Sequence, residues 1–359
     1  MKPRHIPVFD GHNDALTRLW LSDHPDPVHA FIHERLVGHL DLKRCQEAGF
    51  IGGMFAIFLP PYSYVQQYHP NKLFDQNASD FTQQQIEQIC LEQLDLAHQL
   101  AQYSKNIKIC TSVQDIQDIQ DIQDIQDCRA EQKLAIVLHM EGAEALQQNP
   151  DLLDVFYERG LRSIGPLWNR PSRFGHGLNA KFPHSPDTGA GLTSDGKDFI
   201  KRCVNKKMVI DVSHMNEKAF WNTVDILQQP IVATHSNSHA LCPQARNLTD
   251  PQLKAIRESK GMVGVNFDVA FLRSDGQRNA DTSIDVILEH LEYLMDHLGE
   301  EHVGFGSDFD GALIGTELED VTGIHRLIER MQQRGYSKTL IENICLNNWV
   351  RVLYRIVGQ

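Results

Sequence analysis

The first residues of this chain to suggest a chemistry are a histidine and an aspartate two positions apart, in the stretch VFDGHNDAL, residues 8–16. The run Ile6-Pro7-Val8-Phe9 predicts a buried strand that ends near Asp10-Gly11. Residues i and i+2 of an extended segment point the same way, so His12 and Asp14 aim an imidazole and a carboxylate at one point. That is half of a metal site, although the same residue types also suit a surface turn. Similar residues recur at the ends of later apolar runs. His139 and Glu141 lie in KLAIVLHMEG (133–142), His214 closes MVIDVSH (208–214), His235 lies in PIVATHS (230–236) and Asp308 in HVGFGSDFDG (302–311). Each has an ordinary alternative: a helix cap for Glu141, a satisfied core histidine for His214, a turn hydrogen bond for His235. Three of these histidines with two or three of the carboxylates suit Zn²⁺, Mn²⁺ or a similar divalent ion. They exceed the three protein ligands usual for one catalytic zinc and match a pair of ions sharing a bridging carboxylate.

Such residues converge only if the elements carrying them do. With GFIGGMFAIFL (49–59), LRSIGPLW (161–168) and GMVGVNFD (261–268), the apolar runs number eight. Runs apolar throughout are expected of parallel strands covered on both faces. Helical patterns lie between them at 82–104, 150–158, 195–207, 216–228, 250–259 and 282–298. Thr193-Ser194-Asp195 and Thr249-Asp250-Pro251 have the residues of helix starts. Eightfold alternation predicts an α/β fold, a (β/α)8 TIM-type barrel whose strand ends meet at one C-terminal mouth. Residues 1–359 are read as a single barrel domain, with 322–357 supplying a closing helix and a further C-terminal one. The Pro-, Tyr- and Asn-rich segment 60–81 reads as a long loop over the mouth. The three-residue repeat at 114–127 reads as an exposed or half-docked helix without chemistry, because each step of three advances about 300° around a helix.

The 34 Lys and Arg against 47 Asp and Glu give a net charge of −13, which disfavours nucleic acid and anionic membranes as partners. No basic segment leading into an apolar one opens the chain, and no apolar run approaches about 18 residues. The seven cysteines are scattered, without a Cys-x-x-Cys pair, as in a protein with reduced thiols. A soluble cytoplasmic protein is expected, and the sequence leaves a homodimer open.

The motifs DGHND (10–14), MEG (140–142), DVSHM (211–215), ATHSNSHALCPQARNLTD (233–250), VNF (265–267) and GSDFDG (306–311) span nearly the whole chain. In this order they resemble the renal (membrane) dipeptidase family of metallopeptidases, a branch of the amidohydrolase-like barrels. The resemblance implies a (β/α)8 barrel with two Zn²⁺, other divalent ions being open. It implies hydrolysis of small dipeptides through a metal-bridging hydroxide, often with a D-residue tolerated at the C-terminal position. Carried over, it makes His12 and Asp14 ligands of one ion, Glu141 the bridge, and His214 and His235 ligands of the other. It gives Arg246 the grip on the substrate carboxylate and Asp308 the proton of the bridging water. Two positions depart from the family pattern. Trp168, in PLWNRPSRFGHG (166–177), stands where the family has a histidine that orients substrate; His176 on the same stretch is a candidate to stand in. Asp268 stands where tyrosine is common, and its charge would repel a second acid on the substrate or attract a cation. Two alternatives stay open: hydrolysis of another carboxylate-bearing amide, such as an N-acyl amino acid or a lactam, and a non-catalytic metal-binding barrel.

Overall fold

All eight apolar runs form strands in the computed structural model, which describes residues 6–75, 78–115, 133–178 and 181–358. They are β1 (Val8–Asn13), β2 (Phe50–Phe58), β3 (Leu134–Glu141), β4 (Leu161–Gly165), β5 (Val209–Ile210), β6 (Val232–Ala233), β7 (Met262–Val265) and β8 (Val303–Phe305). Parallel pairing runs in chain order from β1 to β5 and from β6 to β8. Isolated parallel bridges at Asp211–Val232 and Asn13–Phe309 join the two arcs, so the ring closes as a (β/α)8 barrel. A further short strand, Ile107–Ile109, extends the sheet beside the start of β3.

The two-residue period of a strand explains why the site lies inside the mouth. On β3, the even residues Leu134, Ile136, Leu138 and Met140 pack into the large apolar layer shared with the outer helices. The odd residues Ala135 and Val137 join a second core at the opposite end, with Phe9, Met54, Val209, Val232, Met262 and Trp349. His139 and Glu141 continue that inward-facing row toward the mouth. Trp349, on the C-terminal helix Asn348–Val357, plugs the closed end; it is fully buried and its indole N–H donates to the Phe305 carbonyl at 2.9 Å.

Helices fill the connections where the sequence pattern predicts them: Gln83–Tyr103, Leu152–Glu158, Ser194–Asn205, Glu217–Val224, Asp250–Glu258 and Ile284–Leu298. The Thr193 hydroxyl caps its helix by accepting from Gly196 N–H at 3.0 Å. Three helices between β1 and β2, Ala15–Leu21, Pro27–His33 and Leu42–Ala48, went unread in the sequence. Segment 60–81 differs from the expected loop. It contains the helix Tyr62–Tyr68 and a turn at Pro70–Lys72, because Tyr62 and Val65 find apolar cover. The 114–127 repeat lies, from residue 116 on, outside the described residues.

Candidate metal centre

The ends of β1 and β8 are tied together by their backbones. Asp308 N–H donates to the His12 carbonyl at 3.0 Å, and Asp14 N–H donates to the Phe309 carbonyl at 2.8 Å. Asp308 takes a left-handed conformation, φ 60°, which turns its carboxylate toward Asp14. A Cβ at Gly311 would stand 2.2 Å from Asp14 Oδ2 and 2.6 Å from Asp308 Oδ1, so only glycine lets the two carboxylates come this close. His12 Nε2 lies 3.4 Å from Asp14 Oδ2. His12 and Asp14, two residues apart in the chain, thus lie side by side at the mouth.

Glu141, at the end of β3, faces two ways. Its Oε2 lies 3.8 Å from His12 Nε2, and its Oε1 lies 2.7 Å from His214 Nε2 and 3.3 Å from His235 Nε2. His12, Glu141 and His235 are grouped closely enough to share one cation, as are His12, Asp14 and Asp308. His12, Asp14, Glu141 and His235 are each at most 5% exposed, and His214 is 8% exposed.

The proton positions on the two later histidines test whether a cation fits. His214 Nδ1 donates to Asn169 Oδ1 at 2.9 Å. His235 Nδ1 donates at 2.7 Å to the Thr234 hydroxyl, whose own proton goes to Asp211 Oδ2 at 2.6 Å. Both Nε2 atoms are therefore bare, only 3.2 Å apart, and both face a carboxylate oxygen. Three lone-pair atoms in such contact repel one another until a positive charge lies among them. His12 Nε2 and Asp14 Oδ1 are likewise buried without a hydrogen-bond partner among the described residues. Imidazole nitrogens with carboxylate oxygens form a donor set that fits borderline divalent cations.

The protonation equilibria carry the same demand for positive charge. Burial alone would drive His12 to the neutral form, yet Glu141 and Asp14 raise it to about 10. Burial would raise Glu141, but His12 and His214 hold it well below the usual carboxylate range. His214 is pushed down to about 4 by burial and by Arg246, and His235 falls well below its ordinary value by burial, His12 and Arg246. Burial pushes the Asp308 carboxyl well up; His12 opposes this, while Asp14 and Glu141 add to it.

The remaining sequence-derived candidates lie at different removes. Arg246 is 2% exposed, with Nη1 donating to Ser236 Oγ at 2.8 Å and Nη2 to the His235 carbonyl at 2.9 Å. Half-buried Trp168 has its ring 6.2 Å from that of His214, against Phe58 at 4.9 Å and under the Arg170 guanidinium at 5.2 Å. Asp268 caps the short helix Val269–Leu272, accepting from Ala270 N–H at 2.8 Å, and its other oxygen lies 4.0 Å from Arg278. His176 sits on a small hairpin, Pro171–Ser172 with Gly175–His176, and no described contact brings it into the cluster. Sequence reading missed Asn169, Thr234 and Asp211, which orient the histidines, and Asn266, whose Nδ2 donates to Asp308 Oδ2 at 2.9 Å. Asn169 directly follows Trp168, Thr234 directly precedes His235, and Asp211 and Asn266 stand inside the motifs DVSHM and VNF.

The chain from residue 3 to 357 matches the family model of the membrane dipeptidases, peptidase family M19. It is 95% identical to a protein encoded in the PQQ-III 3′ region of Acinetobacter calcoaceticus, over 83% of this chain and 92% of that one. Among solved structures it is similar to dipeptidase AC, a family M19 metallopeptidase, with 41% identity, 99% of each chain covered and a TM-score of 0.88. A metallopeptidase from Rhodobacter sphaeroides, liganded with a phosphinate mimic of the dipeptide L-Ala-D-Ala, matches with the same identity and TM-score, over 98% of this chain and 99% of its own. The chain therefore belongs to peptidase family M19, and with it to the metallo-dipeptidases.

Proposed function

We propose that this protein is a zinc-dependent dipeptidase that hydrolyses dipeptides with a free C-terminal carboxylate, L,D pairs among them, using two Zn²⁺ that share Glu141. The observation that carries this reading is the divided carboxylate of Glu141, with one oxygen toward His12 and the other toward His214 and His235. His12 and Asp14 would hold one ion, and His214 and His235 the other. When bound, such a pair of ions supplies an activated water and polarises the scissile carbonyl.

The chain's own residues account for the rest. Arg246 Nε is buried without a hydrogen-bond partner among the described residues, which leaves an N–H to receive the substrate carboxylate. Asn266 holds Oδ2 of Asp308, while Oδ1 faces Asp14 across Gly311. From there Asp308 would accept the proton of the attacking water and return it to the leaving amine; the upward push of burial on its carboxyl favours carrying that proton. The L-Ala-D-Ala mimic held by the Rhodobacter sphaeroides relative supports a D-residue at the C-terminal position.

Trp168 favours a second reading, hydrolysis of another carboxylate-bearing amide such as an N-acyl amino acid or a lactam. An indole beside His214 offers one N–H donor and cannot become charged as the family's histidine can. The buried thiols of Cys45, Cys90, Cys203, Cys242 and Cys345 support a reducing cytoplasm. Among the described residues no helix is long and apolar enough to cross a membrane.

The deciding experiment screens zinc-loaded protein against a dipeptide library with L,L and L,D members, together with N-acyl amino acids and lactams. Dipeptides turned over fastest, with loss of activity on chelation and return with zinc, are expected. Faster turnover of the N-acyl or lactam compounds would replace the dipeptidase reading with the second one. No turnover of any member would leave a non-catalytic metal-binding barrel.

A further inference from the structure

Behind the centre, at the closing bridge between β5 and β6, Asp211 is 2% exposed and accepts four hydrogen bonds. Oδ1 accepts from Ser213 N–H at 3.0 Å, the Ser213 hydroxyl at 2.6 Å and Thr234 N–H at 2.9 Å; Oδ2 accepts from the Thr234 hydroxyl at 2.6 Å. A hydroxyl has one proton, and both of these protons are committed to Asp211. Each hydroxyl oxygen can then only accept, and both accept from the same residue. His235 sends its backbone N–H to Ser213 Oγ at 3.1 Å and its ring Nδ1–H to Thr234 Oγ1 at 2.7 Å. Ring and carboxylate lie 3.9 Å apart, too far for a direct bond, so the hydroxyls are the connection.

We propose that Asp211 is a positioning residue of the metal centre. Through the hydroxyls of Thr234 and Ser213 it locks His235, backbone and ring together, in the Nδ1–H tautomer and aims the bare Nε2 at a cation beside Glu141. The tautomer matters because a free histidine side chain prefers its proton on Nε2, where it would face the cation. The His235 ring stacks on that of His12, with centroids 3.7 Å apart and planes 22° apart, so packing limits its tilt while leaving the proton undetermined. The Asp211 brace supplies that choice, and its charge makes Nε2 a stronger base. His214 is held differently, by the uncharged amide of Asn169.

The proposal rests on the binuclear reading but is tested separately from it. In metal-free wild-type protein with ¹⁵N-labelled histidine, two-bond ¹H–¹⁵N correlations should give His235 as the Nδ1–H form, its signals assigned by their loss in His235→Gln. A proton on Nε2 would overturn the proposal, and this measurement needs no variant of the brace itself. Thr234→Val removes the hydroxyl at nearly constant shape. In zinc competition against a chromophoric chelator it should weaken one of two binding steps by about 10- to 100-fold, leave the other within about threefold, and be rescued by Thr234→Ser. Two unchanged steps would overturn the proposal, and equal weakening of both would mean general damage to the barrel mouth. A wild type that binds a single ion would defeat the binuclear reading and leave the tautomer measurement to judge the brace.

Discussion

Oε1 of Glu141 meets Nε2 of His214 at 2.7 Å, while the other oxygen of the same carboxylate turns toward His12. On the two-ion proposal, a group so divided would serve both halves of the centre, where a terminal ligand would serve one. Glu141→Gln replaces one oxygen with an amide NH₂ that cannot bind a cation. After zinc reconstitution and dialysis, Glu141→Gln should retain less metal per chain than His12→Ala. Equal metal content in the two variants would count against the bridge.

On the proposed mechanism Asp308 would handle the proton of the attacking water, and the ions would be held by the other carboxylates and histidines. Asp308→Asn is nearly isosteric and should keep the wild-type zinc content. Its kcat should fall by about a hundredfold or more, the usual contribution of a positioned acid–base group. Retention of more than about a tenth of wild-type kcat would show that proton transfer at Asp308 is not the relevant step.

The cluster was legible because each of its members ends an apolar run, and a barrel brings such ends together wherever they fall in the chain. His139 shows the limit of that logic. It lies on the inward row of β3 beside Glu141, yet its Nδ1 pairs with Ser163 at 2.8 Å and its Nε2 lies 3.6 Å from Asp211, behind the mouth. Depth along the barrel, which separates the mouth from the layer behind it, has no one-dimensional signature. Asn169 and Thr234 were illegible for another reason. Asn169 meets His214 across 45 residues and Thr234 meets Asp211 across 23, contacts fixed by neighbouring strands and not by local spacing. In segment 60–81 turn-forming composition favoured a loop, and the tertiary burial of Tyr62 and Val65 selected a helix instead.

Stability at acid pH should carry the mark of His290. This residue of the helix Ile284–Leu298 is 1% exposed; its Nδ1 accepts from Ser238 N–H at 3.1 Å and its Nε2 donates to the Leu272 carbonyl at 2.9 Å. The first bond requires the neutral ring. Burial lowers its pKa from 6.5 to about 4, against the bond to Leu272, which raises it. Between those values the unfolded chain binds the proton more readily than the folded one. The contribution is therefore complete above pH 6.5, is lost as pH falls toward 4, and amounts to about 3 kcal/mol. Urea unfolding of metal-free protein should find His290→Gln less stable than wild type at pH 7.5, with the gap narrowing by about 2–3 kcal/mol toward pH 4. A gap that stays constant across this range would remove His290 from the acid response.

Arg246 poses the sharpest question about substrate, because its guanidinium is both a structural tie and a free donor. Two of its nitrogens hold Ser236 and the His235 carbonyl, while Nε is buried without a partner among the described residues. Burial lowers its pKa, and the facing carboxylates of Asp211, Asp308 and Glu141 oppose that shift. A dipeptide entering the mouth must take its own carboxylate partly out of water, at a cost of several kcal/mol if no cation meets it. If Arg246 meets it, Arg246→Ala should lower kcat/KM for free dipeptides by two or more orders of magnitude, on the scale of about 3 kcal/mol for a lost charge-assisted pair. The same variant should lose far less on C-terminally amidated dipeptides, which carry no carboxylate. Enzyme and substrate changes together form a double-mutant cycle, and the coupling between them isolates the pair from the structural tie. Equal losses on both substrates would mean that Arg246 acts only through Ser236 and His235, supporting the loop without reading the substrate.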